Sequence, residues 1–139
     1  MPKMIFVNLP VTDLAAATRF YAAIGCQKND QFSDENAASM VWSDTITFQL
    51  LTRAYFQTFT PMALSDARTA CAAMYALSMD SRAEIDATTD AGAAAGGTPD
   101  GRPVTDMGWM YNRQIQDPDG HVLELVWMDM AAMADQGAS

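Results

Sequence analysis

The residue with the clearest capacity for chemistry is Glu124, a carboxylate set between Leu123 and Leu125 in the apolar run VLELVW. Taking an unpaired carboxylate out of water is costly, so a glutamate here either faces solvent or is held by partners that a ligand can share. Among neutral groups it can anchor a ligand by accepting hydrogen bonds, or exchange a proton with it. His121, the sole histidine, lies three residues away, on the opposite face of a strand from Glu124, and is assigned to the flank of a turn. Cys26 and Cys71 have neither CxxC nor zinc-ligand spacing, and Cys71 falls in an alanine-rich segment suited to a buried small residue. Neither is read as a nucleophile.

A hairpin positions Glu124. In Asp117-Pro118-Asp119-Gly120 the proline pre-sets φ for a type I turn, and the glycine takes the left-handed conformation that follows it, a three-residue loop with a G1 bulge. The resulting register opposes Gln116 to Val122, Gln114 to Glu124 and Asn112 to Val126. Opposed residues share a face, so Glu124 stands with Gln114 and Asn112, while Ile115, Leu123, Leu125 and Trp127 take the other face. A slip of one residue in the bulge would instead set Arg113 against Glu124 as an ion pair, and the sequence leaves both registers open.

Upstream, Ile5 to Val11 reads as a strand. The helix that follows is capped by Thr12 or Asp13, carries Leu14, Ala17, Tyr21 and Ile24 at helical spacing, and stops at Gly25. Three short strands are expected near Cys26 to Asn29, Ala38 to Trp42 and Thr45 to Leu51. Thr52 to Ala72 lacks alternation; a short connecting helix is expected over Ala63 to Cys71, with the module boundary in that stretch. Met74 to Met79 is the next strand. Ser81-Arg82-Ala83-Glu84 forms a capping box that opens an alanine-rich helix ending at Gly96-Gly97. Pro99 to Pro103 is loop, with a short strand after it, and Ala131 to Ser139 is a small, polar tail expected to fray.

At 139 residues, half of them hydrophobic, the chain fits one domain with a real core. A net charge of −9 argues against nucleic acid and anionic membrane surfaces as partners. No apolar run reaches membrane-spanning length, and MPKMIFVNLPV resembles neither a signal peptide nor an anchor, so a cytoplasmic protein is expected. The two halves superpose in sequence. Val11-Thr12-Asp13 falls on Met79-Asp80-Ser81, carrying Phe6 onto Met74 and Asn8 onto Ala76, and Asp44 to Leu51 falls on Asp119 to Val126, carrying Gln49 onto Glu124.

These residues, above all VNLPVTDLAAATRFYAAIG and DPDGHVLELVW, make the chain resemble the vicinal oxygen chelate superfamily of glyoxalase I, extradiol dioxygenases, fosfomycin-resistance and bleomycin-resistance proteins. Within it the chain looks most like bacterial lactoylglutathione-lyase-like proteins. The resemblance implies a single α+β domain over residues 1–139, two βαβββ modules (about 1–54 and 73–130, joined by a linker over about 55–72) forming a curved mixed-sheet cup, and a homodimer. In metal-dependent members the cup floor holds a divalent ion at four positions, which fall here on Phe6, Gln49, Met74 and Glu124. A phenyl ring has no lone pair, a thioether is soft and an amide is weak, so no catalytic metal or other cofactor is expected. Strand parity directs Asn8, Gln49, Gln114 and Glu124 into the cup, with Phe6, Met74 and Trp42 as lining. The expected function is binding of a small molecule by Asn8, Gln49, Gln114, Phe6, Met74 and Trp42. The alternative is an enzyme of the superfamily, lactoylglutathione-lyase-like or dioxygenase-like, in which Glu124 is catalytic, either with a divalent metal held by an unusual ligand set or as a metal-free acid/base. A further, non-catalytic alternative is a polar plug in which Gln49 and Glu124 hydrogen-bond each other.

Overall fold

Residues 2–132 are described by the structure, a computed structural model of the chain. The first strand, β1 (Ile5–Val11), alternates in environment, with Leu9 and Val11 buried and Phe6 and Asn8 exposed. Asp13 caps the helix that follows, α1 (Leu14–Ala23), its carboxylate accepting from the Ala16 amide at 3.1 Å. Gly25, at φ 113°, turns the chain out of the helix. Three strands complete the module: β2 (Gln27–Asn29), β3 (Ala37–Ser43) and β4 (Ile46–Thr52). They form a sheet in the order β1-β4-β3-β2, in which only the β1/β4 pair is parallel.

The second module repeats this plan. Its strand β5 (Met74–Ser78) leads into helix α3 (Arg82–Ala94), followed by the two-residue strands β6 (Thr98–Pro99) and β7 (Thr105–Asp106) and the hairpin β8 (Met110–Gln116) and β9 (Val122–Met128). The sheet order is β5-β9-β8-β6, with β7 also on β8 and the β5/β9 pair parallel. Ser81 accepts from the Glu84 amide as a capping box requires, but the Glu84 carboxylate reaches back to the amide of Asp80, one residue earlier than expected. The α+β architecture of two βαβββ modules is therefore the one the sequence implies.

The joining segment departs from expectation. Its helix is α2 (Arg53–Gln57), where Thr52 caps the Tyr55 amide, and not a helix over Ala63 to Cys71. Around Asp66 only one turn forms, with the Thr69 and Ala70 amides on the Asp66 carbonyl. Past that turn no further backbone bond of the kind follows among the described residues of the segment, so the helix is not propagated. The expected fraying of the tail falls mostly on residues 133–139, outside the described residues.

One apolar cluster draws on both modules, from Leu9, Phe20, Tyr21 and Phe48 in the first to Leu77, Ile85, Ile115 and Leu125 in the second. Phe48 and Tyr75 meet edge to face at 6.2 Å across the two sheets. At Gly92 a Cβ would stand 2.6 Å from Ile115 Cδ1 and 3.0 Å from Ile24 Cγ2, so this glycine sets how closely α3 nests against α1 and β8.

Candidate functional site

The hairpin takes the register opposing Gln114 to Glu124, with Asn112 against Val126 and Gln116 against Val122. Gly120 has φ 98°, and the Asp117 amide bonds the His121 carbonyl at 2.9 Å across the turn. The slipped register is excluded. Arg113 opposes Leu125 on the helix-facing side, where its guanidinium grips Asp100 at 2.7 and 3.1 Å and Asp86 at 3.0 Å. Hydrogen bonds from Arg113 hold the Asp100 carboxyl below its ordinary range. On the other face Asn112 Nδ2 donates to Glu124 at 3.3 Å, and Gln114 Nε2 approaches the Met74 sulfur at 3.7 Å.

The sheet registers give the internal repeat a physical form. In the first module Asn8 pairs with Gln49, and in the second Ala76 pairs with Glu124, so Gln49 and Glu124 occupy equivalent places on their sheets. Phe6 pairs with Thr47 and Met74 with Val122, which puts each one step diagonally from the polar group of its module and on the same face. Both are about half open to solvent, 52% for Phe6 and 55% for Met74. The apolar enclosure that acid/base work by Glu124 needs is therefore not supplied by these two side chains within one chain. Glu124 takes its side-chain hydrogen bond from Asn112 rather than from Gln49, as the polar-plug reading would require.

Trp42 does not line this face. Ser39 pairs with Gln49 and Met40 with Phe48, so Ala38, Met40 and Trp42 point toward the helices, and Trp42 borders a groove with Ile24, Met79 and Ala87 between α1 and α3. Cys26 is buried, but Cys71, expected to be buried, is exposed.

The turn itself carries a polar hub that the sequence reading treated only as punctuation. Asp117, nearly fully buried, accepts from the Tyr21 hydroxyl at 2.9 Å and from the Asp119 and His121 amides at 2.9 Å each. Asp119 accepts from the Thr12 amide at 2.9 Å, and His121 Nε2 donates to the Pro10 carbonyl at 2.9 Å. The turn thus clamps the first module to the second. Burial raises the Asp117 carboxyl above the ordinary carboxylate range, against His121 and its hydrogen-bond donors, which lower it. Burial, then the Asp117 charge, raises the Tyr21 phenol well above its ordinary value, so it stays a donor. Two carboxylates and an imidazole within one tight turn was the available signal.

A cavity of about 460 Å³ lies elsewhere, beneath the segment joining the modules, and of the expected site residues only Asn8 borders it. Phe6, Gln49, Met74 and Glu124 do not fit a divalent metal of the kind the superfamily uses, because only Glu124 is an anionic oxygen donor. Among the described residues no three of His, Cys, Asp and Glu come together as ligands, and no helix is long and apolar enough to cross a membrane.

No match is found among curated proteins. Solved structures similar to the chain include hypothetical protein SA1046 from S. aureus (24% identity, TM-score 0.75, 91% of this chain and 94% of that one). Others are the fosfomycin resistance protein FosX from Mesorhizobium loti (14%, 0.69, 96% and 98%) and the antibiotic binding protein TnmS3 from Streptomyces sp. CB03234 (20%, 0.61, 92% and 97%). At these identities the likeness speaks for the fold. A sequence profile of one family matches residues 3–125, nearly the whole span that builds both modules, and the chain belongs to the Glyoxalase/Bleomycin resistance protein/Dioxygenase superfamily.

Proposed function

We propose that the protein binds a small organic molecule on the polar sheet faces, using Asn8, Gln49, Gln114 and Glu124 with Phe6 and Met74 as apolar flanks, and without a resident metal. The observation that carries this reading is the pairing of Gln49 and Glu124 at equivalent register positions, beside a phenyl ring and a thioether where a metal site needs imidazole or carboxylate. Amides and one carboxylate can recognise hydroxyl, amide or carbonyl groups while the flanks cover rings or alkyl surface. The antibiotic-binding activity in the name of TnmS3 supports a binder on this fold. Half-open Phe6 and Met74 suit a homodimer that closes the faces. Two free thiols suit the cytoplasm.

A thermal-shift screen of drug-sized compounds tests this. A ligand at a hundredfold excess over its Kd should stabilise the fold by ~2.7 kcal/mol. Hits that are lost in Gln49→Ala or Gln114→Ala, and that are recovered chemically unchanged, uphold the binder. Turnover that disappears in Glu124→Gln replaces it with an enzyme whose carboxylate acts on the ligand.

A further inference from the structure

We propose a second ligand site that adjoins the polar faces at Asn8: the cavity beneath the joining segment, which takes an uncharged, largely apolar ring compound with one neutral hydrogen-bonding group. Its volume of about 460 Å³ falls in the range of small-molecule sites. In a chain with 18% charged residues and a net charge of −9, no Asp, Glu, Lys or Arg lines it. Its titratable groups are Cys71, Tyr75 and His121, and the last already donates to the Pro10 carbonyl. A charged ligand would find no counter-charge there, and desolvating it would go uncompensated.

The cavity is held open by its roof. Alanines at 63, 67, 70, 72 and 73 are too small to fill the space beneath them. The roof is tied to its surroundings at several points. Arg53 donates to the Ser65 carbonyl at 3.2 Å, Gln57 Nε2 donates to the Thr60 and Met62 carbonyls at 2.8 Å each, and Arg68 donates to the Pro118 carbonyl at 3.1 Å. At the turn the segment already touches backbone, since a Cβ on Gly120 would stand 2.8 Å from the Ala67 carbonyl oxygen. The cavity opens to solvent, and a roof strapped in this way does not settle onto its floor to close it. Phe56 and Tyr75 offer ring faces and Met62 an adaptable one. The Asn8 amide, exposed and without a side-chain hydrogen bond among the described residues, supplies the polar contact.

The test uses the full chain and the neutral naphthalene fluorophore prodan. Saturable binding with a blue-shifted emission is expected, weakened by about tenfold or more in Ala70→Trp or Ala72→Trp, which place an indole in the space. Both positions are exposed, so the variants should fold, which circular dichroism checks. In the unaltered chain, saturating prodan should slow alkylation of Cys71 by iodoacetamide, a readout that needs no variant; Cys26 is buried. Naphthalene-2-sulfonate, the same ring with a charge, should compete weakly. Absence of saturable binding, binding unaffected by both tryptophans, no protection of Cys71, or equal competition by the sulfonate would each overturn the proposal. Loss of prodan in Glu124→Gln would move the probe to the polar faces and overturn it as well. Asn8 borders both sites, but the polar-face reading is tested separately, since its ligands depend on Gln49 and Gln114, which do not line the cavity.

Discussion

At the scale of single residues, the ionisation of Asp117 bears directly on the fold, because its buried carboxyl joins the two modules. Its carboxyl is raised, so the folded state holds the proton more tightly than the unfolded chain does. Stability should therefore rise as pH falls from that raised value toward about 4, and decline as pH climbs back through it. Asp106 works in the opposite sense. Hydrogen bonds from Arg82 pull it down to about 2, so its contribution is present above the ordinary carboxylate range and is lost as pH falls toward 2. Denaturant titrations across pH should show both slopes. In Asp117→Asn, which keeps an oxygen for the two amides, the slope above pH ~4 should flatten, and an unchanged slope would refute the assignment. Tyr21→Phe leaves one buried carboxylate oxygen without its donor and should cost about 1–3 kcal/mol in the same titrations.

At the scale of elements, the turn between β8 and β9 both fixes the register of the Glu124 strand and docks on the first module. Gly120→Ala is strained twice, by φ 98° and by the 2.8 Å approach of its new Cβ to the Ala67 carbonyl. A loss of at least ~1 kcal/mol is expected, larger than for an ordinary cap such as Ser81→Ala at about 1 kcal/mol, and chemical denaturation would rank the two. Because the turn touches Ala67, the same substitution should also speed alkylation of Cys71 by loosening the roof, whereas Ser81→Ala should not.

For the whole molecule, the repeat makes a prediction that neither module makes alone. If the two sheet faces meet, within a chain or across a homodimer, Phe6→His combined with Met74→His should create two imidazoles beside Gln49 and Glu124, a set suited to Zn or Ni with room for water. Calorimetric titration should show metal affinity well above the parent, falling again when Glu124→Ala is added. The parent's half-open Phe6 and Met74 make this substitution less costly than in a core, about 1–3 kcal/mol or less. A folded double variant that binds metal no better than the parent would show that the four positions do not converge.

What the sequence determined by itself was whatever is local or periodic. The turn chemistry of Pro118 and Gly120 narrowed the hairpin to two registers, of which the structure takes the one setting Gln114 against Glu124 and Arg113 against Leu125, and the repeat of Phe6 on Met74 and Gln49 on Glu124 matched the register of two separate sheets. These follow from φ preferences and a two-residue period, which act within a few residues. Trp42 was misplaced because the face of β3 is fixed by its pairing with β4, where the register shifts between Val41 and Ser43. The clamp of Asp117 on Tyr21 and the exposure of Cys71 depend on how two modules dock. The cavity depends on a segment with little secondary structure of its own, held by side chains reaching carbonyls as far as fifty residues away. No period encodes such contacts, so only the tertiary structure could decide them.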